Sequence, residues 1–217
     1  MSSPVRHALA VLALLCAIVV VLDGRGADAR TEPVARAPDR GTFTFAPGTH
    51  PLDRQAVLQA VAAARPEARA LIDRIDGRTT ITVGTPSLPQ AAGTARSLPD
   101  GRHELTLDLG PVSRGLGAAG VARLVLHELG HAVDAALVPA DLAARLDALV
   151  PAGYPCGTPG DDRSCLGRSA REERFAETFA KWATGDLGIT LHIGYKVPPP
   201  RVSLDRWGAP LAALARP

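Results

Sequence analysis

Aromatic residues are scarce in this chain of 217 residues, at 4%, so its core must be assembled from alanine, leucine and valine rather than around large rings. A dominant charge of one sign is missing as well. Formal net charge is +2, and basic residues alternate with acidic ones without forming a block. That excludes the electrostatic footprint of a nucleic-acid binder, and no nucleic-acid partner is expected. Nor is there an apolar run of the about 20 residues that a membrane-spanning helix needs, since the longest, from Ala8 to Leu22, falls short of it. Hydrophobic content is nevertheless 46%, which excludes a disordered chain. The length suits one domain with a short leader or tail.

What is present begins with a three-part N-terminus. Arg6 and His7 form a short basic start, the apolar run follows, and Ala27-Asp28-Ala29 places small residues where a leader peptidase would cut. This is the layout of a secretory signal peptide over residues 1–29, and it points to a secreted, extracellular protein. The alternative is an uncleaved anchor presenting the same domain outside the membrane. Contact with a membrane is expected only through that segment. Cysteine is nearly absent: Cys16 lies in the apolar run, which leaves Cys156 and Cys165 close together in a Gly/Pro-rich stretch. In an exported protein such a pair reads as a disulfide. Closing so short a loop should contribute ~2.5–3 kcal/mol by the chain-entropy estimate. The rival reading, thiolate ligands of a further metal site, lacks neighbouring ligands.

Residues 30–51 are rich in Pro, Gly and Thr and read as an extended entry segment before a domain over 52–217. From Leu52 to Ile75, apolar residues recur at helical spacing, with Pro66 splitting or kinking the helix. Thr79–Val83 is a β-branched strand, and 84–102 reads as loop. His103–Leu109 alternates polar with apolar, predicting a half-buried strand with Leu105, Leu107 and Leu109 inward. Helices are expected from about Gly117 to Leu137 and from Asp141 to Leu149. A third is expected from a capping box at Ser169 and Glu172 to about Ala183, ended by Gly185. The Pro-rich tail from Pro198 is ambiguous.

The chemistry is concentrated in Val125-Leu126-His127-Glu128-Leu129-Gly130-His131, an HExxH pattern in an apolar, helical context. Histidines four apart on a helix project from one face, one turn above the other, so both reach a single ion at the ~2.0–2.1 Å that zinc–nitrogen bonds require. Glu128 stands too close in sequence to His127 to share that coordination shell. It can instead accept a proton from a water that the metal acidifies. Val121, Leu124, Val125 and Leu129 supply the buried side of this helix. A catalytic zinc needs a third protein ligand. No histidine follows at the spacing of the longer HExxHxxGxxH pattern, because Asp134 stands there. The better source is Arg171 to Ala180, where Glu173 and Glu177 share a helical face beside the apolar stripe Phe175, Phe179 and Trp182. Glu172 is read as solvated.

A helical HExxH, an intervening segment, then Glu173-Arg174-Phe175-Ala176-Glu177 on a second helix resembles the gluzincin peptidases, in particular the catalytic domain of anthrax lethal factor and its bacterial relatives. The likeness covers about Val121 to Ala183 and includes Ala132-Val133-Asp134 and Gly167-Arg168. It implies an α+β, zincin-like fold, with a small twisted sheet packed on the two motif helices. By the same resemblance, Glu173 is the third zinc ligand, Glu177 supports the ligands from behind, and Asp134 orients nearby groups without touching the metal. It further implies that the strand Glu104–Leu109 is an edge strand that pairs with extended substrate. The family places a tyrosine just before the Gly-Arg pair to stabilise the oxyanion. Leu166 stands there, so Tyr154 or Tyr195 would have to substitute. The expected function is a secreted, monomeric zinc endopeptidase acting on peptide or protein substrates. Two other classes remain: a zinc-binding module without catalysis, and a domain in which zinc is only a structural staple.

Overall fold

The computed structural model describes residues 43–88, 91–153, 170–185 and 197–216. The leader, the pair Cys156 and Cys165, Leu166, Tyr154 and Tyr195 all lie outside the described residues. Among those described, six α-helices and a four-stranded mixed sheet make an α+β fold.

The entry segment does more than lead in. Thr44–Phe45 forms a short strand, β1, parallel to the β-branched run Thr79–Val83, which is β2. Between them Pro66 splits the apolar stretch cleanly into two helices, α1 (Pro51–Ala62) and α2 (Pro66–Asp73), each with proline at its start, where the missing N–H would have no helical partner anyway. Val57, Ala68, Leu71 and Ile72 are their buried face.

The segment expected as loop holds a strand, β3 (Gly93–Ser97), antiparallel to β4 (His103–Leu107). The two form a hairpin closed by Leu98-Pro99-Asp100-Gly101. Gly101 N donates to the Leu98 carbonyl, and the Asp100 carboxylate accepts from the Arg102 N–H. β4 also pairs in parallel with β2, so the sheet order is β1-β2-β4-β3. The strand read from the resemblance as an edge is therefore interior, and β3 takes the edge position. Leu105 and Leu107 point inward as the alternation predicts; Leu109 is buried too, but it opens the next helix rather than ending the strand.

That helix, α3, runs Leu109–Leu137 and is broken at Gly117, whose φ of 62° only glycine adopts cheaply, so the stretch beyond it matches the expected span. Helix α4 follows at Ala140–Ala148, burying Leu142 and Leu146. Helix α5 covers Arg171–Thr184, ended by Gly185 in the left-handed region as expected. Its N-cap is Ala170, without a side-chain cap of its own, and the capping-box residue expected at Ser169 lies outside the described residues. The ambiguous tail contains α6, Leu204–Leu214, capped by the Ser203 hydroxyl accepting from Arg206 N. Its Trp207 is fully buried and donates its indole N–H to the Leu146 carbonyl.

Helix α3 is the centre of the fold. Sheet strands β3 and β4 and helix α1 pack on it, and α5 lies along it, backed by α4 and α6. Leu124, Val125, Leu126 and Leu129 are fully buried, joined in one core with Ile81, Leu105, Phe179 and Trp182. Gly130 lets α5 come close: an added Cβ would lie 3.1 Å from the Ala176 Cα and 3.2 Å from the Phe179 ring. No helix among the described residues is long and apolar enough to cross a membrane.

Candidate metal centre

Packing α5 against α3 buries charge, which is costly unless every charged group finds a partner. On α3, Arg123, His127, His131 and Asp134 recur at spacings of three and four and so share one face. They meet Glu177, Glu173 and Arg171 of α5, taken in reverse sequence order, as rungs of a polar ladder. At one end the Arg123 guanidinium donates to Glu177 Oε1 at 2.6 Å. At the other, Arg171 grips Asp134 with two parallel bonds of 3.0 and 2.6 Å. Both ends are closed by ion pairs.

The middle rungs pair imidazoles with carboxylates instead. His127 Nε2 lies 3.3 Å from Glu173 Oε2, and His131 Nε2 lies 3.5 Å from Glu173 Oε1. Ligand atoms of these three residues all fall within 4.8 Å of one another, so His127, His131 and Glu173 could together hold a metal ion. His127 is buried, and the other two are half-buried, which leaves the group open on one side. Behind it, His127 Nδ1 is buried and faces Glu177 Oε2 at 3.4 Å, within ion-pair reach but without a formed hydrogen bond.

The protein electrostatics follow from this crowding. Burial opposes a charge on His127, yet Glu173, Glu177 and Glu128 outweigh it and raise the imidazole to about 10. Burial and then the charge on His127 pull His131 down to about 4. Burial alone would raise the Glu173 carboxyl, but His127 and His131 hold it below its ordinary value. Glu177 is likewise raised by burial, and His127 and Arg123 overcome this to bring it to about 2. Glu128 goes the other way, since burial pushes its carboxyl up to about 7 despite the opposing charge of His127.

Glu128 leaves the ladder face and lies against the edge strand. Its carboxyl and methylene atoms fill the space beside Gly93 of β3, and any side chain at Gly93 would collide with them. The residue sequence reasoning missed here is Gly93, on the strand it also missed. The signal was the Pro-Asp-Gly turn ahead of a clear strand, which marks a hairpin and hence a preceding partner strand.

Asp134 makes no contact with the three candidate ligands, its carboxylate being taken up by Arg171. Glu172 is exposed, as read from the sequence. Arg123, only 2% exposed, was not singled out, because one arginine among many carries no motif. No protein-family model, curated protein or solved structure matches the chain, so its functional reading rests on its own residues.

Proposed function

We propose that the chain is an exported zinc-dependent endopeptidase with a zincin-like catalytic arrangement. The observation that carries this reading is the grouping of His127, His131 and Glu173, which bring one ligand atom each to within 4.8 Å of one another. Two neutral imidazoles and a carboxylate are a zinc donor set, and the three-membered group leaves a fourth corner for water or substrate, as a catalytic site requires. A structural staple would have a further protein ligand, and none joins the group among the described residues.

When bound, zinc supplies Lewis acidity: it lowers the pKa of a water toward ~7 and polarises a carbonyl oxygen. The chain's own residues do the rest. His127 and His131 present Nε2 from successive turns of α3, and Glu173 bridges between them from α5. Glu128, with its carboxyl raised to about 7, is poised to accept a proton from the attacking water near neutral pH and to pass it to the departing amide nitrogen. Strand β3 is the edge of the sheet among the described residues and lies next to Glu128, a position that suits an extended peptide added as another strand. Export rests on the three-part N-terminus.

The test is cleavage of a broad peptide library by purified protein. Hydrolysis should be present with zinc, abolished by a chelator and restored by adding zinc back. A chain that binds zinc yet leaves the library uncut would instead be a binding module.

A further inference from the structure

Glu177 uses its two carboxylate oxygens differently. Oε2 faces His127 Nδ1 at 3.4 Å, while Oε1 receives the Arg123 guanidinium at 2.6 Å and stands 3.4 Å from Lys181 Nζ. Arg123 sits one helical turn before His127 on the same face of α3, so the residue that fixes Glu177 and the residue Glu177 faces belong to one rigid helix. Arg123 and Glu177 are both buried, whereas the Arg123 side chain reaches no other carboxylate within ion-pair distance among the described residues. A buried arginine is costly to place, and nothing in the apolar packing of α3 calls for one here.

We propose that Arg123 is a positioning residue for the metal site: by holding Glu177 Oε1, it aims Oε2 at Nδ1 of His127 and so keeps Nε2 of that ring directed at the space shared with His131 and Glu173. The chain is Arg123 to Glu177 to His127, and the last link is an ion-pair contact at 3.4 Å that directs the ring from behind, where partners of metal-bound histidines sit. Without Arg123, the Glu177 carboxylate is free to turn toward Lys181, and the imidazole loses the group that orients it. The inference rests on the metal reading above. Arg171 and Asp134 close the opposite end of the same helix pair but contact neither candidate histidine, so they lock the two helices without aiming a ring.

That difference makes the test. Zinc affinity is measured by competition with a chromophoric chelator on the full chain, and the visible spectrum of the cobalt-loaded protein reports ligand geometry. Arg123→Met should weaken zinc about tenfold, the lower end of the range for losing a partner behind a metal ligand, and shift the cobalt bands. Arg123→Lys keeps the buried charge and therefore the fold, but its shorter reach and single donor group should leave affinity about threefold weaker. Arg171→Met breaks the other ion pair and should bind zinc as the parent does, with an unchanged cobalt spectrum. If Arg123→Met fails to fold, Arg123→Lys decides alone. Parent-like affinity in whichever Arg123 variant folds, or an equal loss in Arg171→Met, overturns the positioning role and leaves the peptidase reading standing. A parent chain that binds no zinc overturns both.

Discussion

Replacing Glu128 by glutamine is expected to lower peptide hydrolysis by about 10²–10⁴-fold, the range that a positioned general base contributes, while zinc stays bound. Glutamine keeps the shape beside Gly93 but cannot take a proton from water. Because Glu128 does not belong to the group that could hold the ion, the loss should fall on turnover and not on metal content. The same substitution has a second, opposite signature. Burial raises the Glu128 carboxyl to about 7 in the folded chain, above its value in the unfolded one, so the folded state binds the extra proton. The parent therefore loses stability as pH rises through the window from about 4.5 to 7, and glutamine does not. Metal-free Glu128→Gln should be more stable than the parent by about 1–3 kcal/mol at pH 8, with the gain vanishing below about pH 4. Urea melts at the two pH values check it, and equal stability at pH 8 would speak against a buried, strained carboxyl at this position.

Glu173→Ala should have the largest effect on the metal. Losing a partner behind a ligand weakens binding about 10–100-fold, so losing a ligand itself should exceed about 10²-fold and leave the protein with little zinc after dialysis. The physical reason is that Glu173 alone supplies a carboxylate to both imidazoles, one oxygen toward each. With it gone, His127 loses the first of the charges that raise it, and α3 retains two rings with no third donor from α5. Activity should vanish with the metal and should not return on adding modest excess zinc. Calorimetric zinc titration of parent and variant separates this from a folding defect, which circular dichroism reads independently. Retention of parent affinity would remove Glu173 from the ligand set.

The parts of this arrangement that were legible in the sequence are those where one periodicity carries the signal. HExxH declares its geometry because residues four apart on a helix share a face, and the apolar residues Leu124, Val125 and Leu129 declare which side is buried. Glu173 was reachable through the second motif, and Gly185 through its left-handed cap. The rest depends on contacts between elements. Strand β3 is built from Gly, Thr, Ala, Arg and Ser, a sequence with no apolar alternation, and its conformation comes from pairing to β4 and not from its own preference. The edge position of β4 was implied only by the resemblance, and the pairing of β3 makes β4 interior instead. Helix α6 hid among prolines, although Leu204, Trp207 and Leu211 are spaced for one face. The closing ion pairs, Arg123 with Glu177 and Arg171 with Asp134, join positions far apart in the chain, and no local pattern reveals which arginine meets which carboxylate.

X-ray absorption at the zinc edge of the purified, zinc-loaded chain tests the central claim most directly. Two imidazole nitrogens, one carboxylate oxygen and one exchangeable water oxygen at about 2.0–2.2 Å are predicted, with the carboxylate contribution lost in Glu173→Ala. Sulfur scatterers at about 2.3 Å, which would put the ion on Cys156 and Cys165, or a parent chain that takes up no zinc, would contradict it.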